Sequence, residues 1–314
     1  MKNLFKIRNF ALIALFALLT VSCDDDNDED NTITGKASAN VSLSILSQAL
    51  VRADLATTLR GSGPYTVFAP TNQAFTTFLA ARNYATINDV PKEALTQILL
   101  NHVVTGSVKS TNLTTGYIKT LAKGSASTTN TLSMYVNITS GVKLNGIATV
   151  TTADVMASNG VIHIVDRVLD LPTIVTHVSA NSNFSTLAAA LNRPGAPDFI
   201  AALSATGPFT VFAPTNTAFS LLNEEFPTGF TSANLTKVIE YHVVNSNVLS
   251  ASLTEGQVIT PILIPSQTFT IQLSGGAKIK DRRDRITNIS TTIRDVQCSN
   301  GVIHAVERVL LPTF

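Results

Sequence analysis

The sequence predicts an α+β fold built twice in tandem, and three observations carry that reading. The chain has 314 residues, beyond the size at which one hydrophobic core usually keeps growing. A set of motifs recurs once, in the same order, at long spacing. Within each copy, helical periodicity alternates with short β-prone runs closed by turn residues. Apolar residues at 45% and charged residues at 14% are in the globular range, so both copies have the material for a core.

The repeat is explicit. Pro64-Tyr65-Thr66-Val67-Phe68-Ala69-Pro70-Thr71-Asn72 returns as Pro208-Phe209-Thr210-Val211-Phe212-Ala213-Pro214-Thr215-Asn216, 144 residues later. His102-Val103-Val104 returns as His242-Val243-Val244 after 140 residues. Ser158-Asn159-Gly160-Val161-Ile162-His163 returns as Ser299-Asn300-Gly301-Val302-Ile303-His304 after 141. Near-constant offsets indicate a duplicated domain, with the boundary at Leu171-Pro172-Thr173. The division is then a leader over 1–22, a tether over 23–35, and domains over 36–172 and 173–314.

Each element follows from its residues. Asn40 is placed to cap a helix carrying Ile45, Leu46, Ala49 and Leu50 on one face. Gly61 and Gly63 end that region. Tyr65 to Ala69 reads as a strand that Pro70 stops. Thr71 or Asn72 then caps a helix with Ala74, Phe75, Phe78 and Leu79. Pro91 opens the next helix, where a first-turn proline is harmless. Leu95, Ile98, Leu99 and His102 share its face, as Leu235, Val238, Ile239 and His242 do in the second copy. Asn159-Gly160 and Asn300-Gly301 read as hairpin turns in which both residues accept positive φ.

The N-terminus carries a different signal. Lys2, Lys6 and Arg8 precede an apolar run from Phe10 to Leu19. Ten residues are too few to span a bilayer but suit a secretory leader. Leu19-Thr20-Val21-Ser22-Cys23 resembles the lipobox of bacterial lipoproteins, although Thr20 stands where that pattern prefers Leu. The resemblance implies lipid on Cys23. Six acids fall among residues 24–30, a run that solvates as a spacer or serves as a surface-export signal. Asn31 to Phe314 then carries about +4 by the same counting. The formal net charge of the whole chain, +1, gives no general attraction to nucleic acid. Cys298 is the other cysteine, so the mature chain has no disulfide framework.

Chemistry-bearing candidates are few. His102, His163, His242 and His304 occupy repeated positions without the spacing of a metal site, so they read as buried histidines bonded to backbone. Asp154, Asp295, Asp166 and Glu307 read as turn caps and surface ion pairs. Cys298 aligns with Ala157, which marks the thiol as incidental. Lys278, Lys280, Arg282, Arg283 and Arg285 form a basic cluster in the second copy alone, read as a solvated hairpin tip or, alternatively, an anionic-glycan contact. Asn-x-Ser/Thr triplets at Asn40, Asn112, Asn137, Asn183, Asn234 and Asn288 reflect a chain rich in those residues. No nucleophile elbow or phosphate-binding glycine loop is present. No catalytic residue, metal or cofactor is assigned.

With these motifs in view, the chain resembles the fasciclin (FAS1) family. Thr-Val-Phe-Ala-Pro-Thr-Asn-x-Ala-Phe resembles its first box and Asn-Gly-Val-Ile-His its second. Tyr241-His242 resembles its tyrosine–histidine motif, for which the first copy has Asn101-His102. The resemblance implies a compact β-wedge flanked by helices in each domain, and adhesion or binding rather than catalysis. It implies an extracellular-matrix, cell-surface-protein or polysaccharide partner, with Tyr241, His242 and His102 as ligand-contact candidates. Together with Cys23 it implies a lipid-anchored protein of the cell envelope, in the outer membrane and facing outward. An alternative is capture of a small molecule or glycan for uptake.

Overall fold

A computed structural model describes residues 30–314. The leader, Cys23 and the acidic run as far as Glu29 lie outside the described residues. The first domain contains α1 (Ile33–Ala39), α2 (Ser44–Arg52), α3 (Ala56–Arg60), β1 (Tyr65–Pro70), α4 (Asn72–Ala81), α5 (Lys92–Leu100), β2 (Val103–Thr105), β3 (Gly116–Gly124), β4 (Ser127–Asn137), β5 (Lys143–Leu144), β6 (Ala148–Ala157) and β7 (Gly160–Val165). Its strands form one sheet in the order β2-β1-β7-β6-β5-β4-β3. The folded unit starts earlier than composition suggests. Thr32 caps α1 by accepting the Gly35 amide, and Ile33 is buried, so residues 33–35 belong to the domain and not to the tether.

The second domain repeats the plan with α6 (Ile174–Ala180), α7 (Ser185–Leu191), α8 (Phe199–Ser204), β8 (Phe209–Pro214), α9 (Asn216–Glu225), α10 (Ser232–Tyr241) and β9 (Val243–Val244). It continues with β10 (Val258–Ile259), β11 (Phe269–Gln272), β12 (Lys278–Lys280), β13 (Ile286–Asn288), β14 (Val296–Cys298) and β15 (Gly301–Val306). Here the strands divide into two sheets, β14-β15-β8-β9 and β10-β11-β12-β13. An isolated bridge between Ile289 and Val306 connects them.

The strand alternation sorts each core into two sides. Val67, Ala69 and Ile162 pack with the helices, whereas Phe68 and Val165 join Leu113, Met134, Val136 and Leu169 on the other face. Val211, Ala213 and Ile303 against Phe212 and Val306 repeat the division. Fully burying one of these phenylalanines contributes about 1.5–3 kcal/mol.

The central pairs β1–β7 and β8–β15 are parallel, with Tyr65 opposite Gly160 and Phe209 opposite Gly301. This register explains the repeated glycine. A Cβ at Gly160 would lie 2.0 Å from Tyr65 O, and one at Gly301 would lie 2.1 Å from Phe209 O. The turns differ from the sequence reading. Ala157 pairs with Gly160 and Cys298 with Gly301, so the two-residue loops are Ser158-Asn159 and Ser299-Asn300. Neither asparagine has positive φ. Each is there for its carboxamide.

Candidate functional site

Asn159 sits where three segments meet. Its Oδ1 accepts the Ile33 amide at 2.9 Å, and its Nδ2 donates to Leu59 O at 2.8 Å and Gly61 O at 2.7 Å. Asn300 does the same with Ile174, Leu203 and Ala205. A second asparagine, at the start of α4, accepts the Ile45 amide and donates to Val41 O and Ser44 Oγ. That residue, Asn72, fastens α4 to α2, while Thr71 performs the capping by accepting the Ala74 amide.

The repeated histidines also serve the backbone. His102 Nε2 accepts the Leu169 amide at 2.8 Å, so its Nδ1 carries the proton and donates to Ile98 O at 2.7 Å. His242 matches it with the Leu310 amide at 2.9 Å and Val238 O at 2.6 Å. Each ring ties the end of its helix to the segment that closes the domain. Burial pulls both pKa values down to about 4, which keeps the rings neutral.

His163 and His304 use the opposite tautomer. Nδ1 accepts the amide of Asp154 or Asp295, and Nε2 donates to Val108 O or Val248 O. Asp154 and Asp295 adopt positive φ, 61° and 54°. Asp154 accepts the Ser110 amide at 2.8 Å and its hydroxyl at 2.5 Å, and Asp295 holds Ser250 in the same way. These hydrogen bonds lower the Asp154 pKa; at Asp295 burial opposes them but the shift remains downward. Serine, aspartate and histidine thus converge in both domains. The serine donates to the carboxylate and not to the ring, and the ring is buried with both nitrogens engaged. A nucleophile needs its base within hydrogen-bond reach, so this arrangement locks a loop rather than activating a hydroxyl.

The residues named as ligand-contact candidates are internal. Tyr241 is fully buried. Its Oη donates to Thr268 O at 2.8 Å and accepts the Arg282 amide at 3.1 Å, and burial pushes its phenol up. Asn101, its counterpart, donates to Leu169 O and Asp170 O. Tyr241, His242 and His102 therefore present no free polar atom to solvent, because each closes a domain against its own backbone. Cys23 lies outside the described residues. Cys298 is buried and unpaired, and burial raises its thiol.

Two members of the basic cluster, Lys280 and Arg285, are paired with carboxylates. Asp281, 5% exposed, accepts the amides of Arg283, Arg285 and Leu311. Arg285 bridges Glu225 at 3.0 Å, and Lys280 bridges Asp284 at 2.8 Å. Arg283 lies 4.9 Å from the Phe314 ring centroid and donates to Pro312 O. The tip is thus a clasp on α9 and the C-terminus, with Arg282 and Arg283 exposed and Arg285 half-buried. Asp166 and Glu307 accept from Thr149 and Asn288 rather than pairing with Arg167 or Arg308; Arg308 bridges Glu225.

The pattern of repeats gave no indication of the joint between domains. β4 lies along β14, where the Gln297 amide donates to Ser133 Oγ at 3.0 Å. The Ala126 amide and Ser125 hydroxyl both reach Ser299 O, at 2.9 and 3.0 Å. Lys119 Nζ donates to Asp295 O at 3.0 Å. Asn181 Nδ2 donates to Tyr117 Oη at 3.2 Å. His177, 141 residues after Lys36, is completely buried because the first domain covers it. Its ring nitrogens make no well-formed hydrogen bond, with the Ser133 backbone their nearest polar neighbour, and the ring meets Tyr117 edge-on at 5.3 Å. Burial, aided by nearby Lys119, takes its pKa down to about 3.

No group of three or more His, Cys, Asp or Glu placed to hold a metal occurs among the described residues. No helix among them is long and apolar enough to cross a membrane. A small apolar cavity of about 20 Å³ lies in the second domain between Ile174, Leu191, Val211 and Val243, with room for about one water-sized body.

Two domains of one fold, joined in tandem, match one family twice. The chain belongs to the fasciclin-domain family, whose Fasciclin domain model matches residues 41–172 and again 182–312. Protein sll1483 of Synechocystis sp. is 37% identical over 148 residues, covering 45% of this chain and 73% of that protein. Human periostin is 28% identical over 269 residues, covering 81% of this chain and 29% of periostin. This chain therefore spans less than a third of periostin's length. A FAS1 domain pair from the insect cell adhesion molecule Fasciclin I covers 89% of this chain and 96% of its own, with TM-score 0.47 and 18% identity.

Proposed function

We propose that the chain is an envelope lipoprotein, anchored through Cys23, that binds an extracellular-matrix component, cell-surface protein or polysaccharide through its fasciclin domain pair. The observation that carries this reading is the use of the repeated polar residues. Asn159, His102, His163, Asp154 and their counterparts all bond within the fold, so the shared motifs build a scaffold and leave recognition to its surface. Fasciclin-family membership supports adhesion. The basic start, the apolar run and Cys23 support the anchor, since two or more acyl chains hold stably where one does not. The acidic tether supports a domain pair held away from the bilayer.

Small-molecule capture in a core pocket is not favoured, because a 20 Å³ cavity is far below the roughly 300–1,000 Å³ of typical ligand pockets. The test compares cells carrying the full chain with cells carrying Cys23→Ser on surfaces coated with fibronectin, collagen or extracted envelope polysaccharide. Expected is retention on one coating that disappears when Cys23→Ser releases the protein from the envelope. Equal retention of both cell types on every coating would overturn the proposal.

A further inference from the structure

A cleft of about 230 Å³ opens where the two domains meet. Tyr117, Tyr135 and Thr115 line it from the first domain, and Asn181, Asn183 and Thr292 from the second. Neither domain alone forms it. We propose that this cleft binds one neutral sugar residue of a larger glycan. The inference names a ligand class for the binding role above and rests on it.

Three properties of the cleft carry the proposal. Its lining contains no Lys, Arg, Asp, Glu or His, so a phosphate, a carboxylate or a metal ion entering it would lose water without gaining a counter-charge. Its polar side chains are hydroxyls and carboxamides, which both donate and accept, beside Gly116 and the apolar Ile293. A sugar hydroxyl does the same, and tyrosine adds an apolar ring to a polar tip, matching the C–H faces and hydroxyl edges of a pyranose. Finally, the volume falls below the roughly 300 Å³ at which drug-sized pockets begin and suits a single ring.

The groups are also held in place before any ligand arrives. Asn181 is 1% exposed, with Oδ1 accepting the Asn183 amide at 3.0 Å and Nδ2 donating to Tyr117 Oη. Because Tyr117 accepts that bond, its own phenolic proton is available to a ligand. The Tyr117 ring is fixed between Tyr135 at 5.1 Å and His177 at 5.3 Å. Burial keeps the phenol protonated. Such pre-organisation reduces the ordering cost of binding.

Saturation-transfer difference NMR on the purified full chain tests this, with D-glucose, D-galactose, D-mannose and N-acetyl-D-glucosamine as probes. Expected is saturable transfer to at least one sugar with a Kd of about 1–10 mM, a range usual for a single small polar ligand. Tyr135→Phe, which removes one hydroxyl, should weaken it about tenfold. Asn183→Trp, a bulky group at the exposed rim, should abolish it without changing the melting temperature. No saturable transfer to any of the four sugars would overturn the proposal, as would transfer that persists in Asn183→Trp. Adhesion of cells bearing the same variants separates the two readings. Adhesion without sugar transfer overturns the cleft and leaves the adhesive role standing; sugar transfer without adhesion supports the cleft and overturns the adhesive role.

Discussion

Ile33 and Asn159 lie 126 residues apart and are joined by a 2.9 Å hydrogen bond from the Ile33 amide to Asn159 Oδ1; Ile174 and Asn300, also 126 apart, repeat it at 3.1 Å. The same side chain takes the carbonyls that end the third helix, so one carboxamide gathers the entry helix, a helix end and the hairpin turn. Asn159→Ala leaves a buried amide and two carbonyls without partners. Each orphan costs about 1–3 kcal/mol before relaxation, and the expected loss is about 3 kcal/mol in denaturant unfolding, with Asn300→Ala similar in its own domain. A loss below about 1 kcal/mol would show that water replaces the clamp.

Acid should weaken the fold through its buried histidines. His102 and His242 have pKa values of about 4 and His177 of about 3, all below the ordinary 6.5. Above 6.5 neither folded nor unfolded chain binds these protons. Below it the unfolded chain binds them and the folded chain does not, so stability falls with pH until the folded values are reached. From pH 7 to pH 5 each contributes a loss of about 2 kcal/mol. His177→Leu removes one titrating group that has only a poorly aligned contact with the Ser133 backbone to lose. The variant should therefore lose about 2 kcal/mol less than the parent over that interval, measured as unfolding free energy; an unchanged pH slope would contradict the account.

The domain pair depends on close approach at Gly124. A Cβ there would stand 2.4 Å from Ser299 Cα and 2.7 Å from Ser299 O. Gly124 has no positive φ, so a larger side chain strains the joint and not its own backbone. Gly124→Leu should undock the domains while each stays folded. Small-angle scattering should show a larger radius of gyration, and limited proteolysis should gain cleavage near Leu171-Pro172. An unchanged scattering profile would mean that the joint accommodates the side chain.

The arginines of the hairpin tip are not equivalent. Arg285 is half-buried between Glu225 and Asp281, whereas Arg282 is exposed. Arg285→Met leaves the Asp281 carboxylate buried with less compensation and should cost about 2–3 kcal/mol. Arg282→Ala should stay within about 0.5 kcal/mol. Equal thermal shifts for the two would contradict this assignment.

Legibility in the sequence followed how local each interaction is. The strand corner Tyr65–Asn72 and the helix ending at His102 were readable because caps, prolines and apolar periodicity act within a few residues. The burial of His102, His163, His242 and His304 against backbone followed from apolar faces without metal spacing. Asn159 is visible as a repeated residue, but the sequence suggests only turn geometry for it because its partners lie about a hundred residues away. The polar run through Asp30 and Asn31 hides the start of the first domain in the sequence, whereas in the structure Thr32 caps α1. His177 gave no signal: only the docked neighbour distinguishes it from Lys36. The cleft was not legible either, since Tyr117 and Asn181 meet only when two separately patterned domains pack together.

The most direct test of the account is binding of the purified full chain to an array of matrix proteins and glycans. Saturable binding to at least one neutral glycan or matrix component is expected, weakened about tenfold or more by Asn183→Trp or by Gly124→Leu. A blank array with correctly folded protein would contradict a binding role for this domain pair.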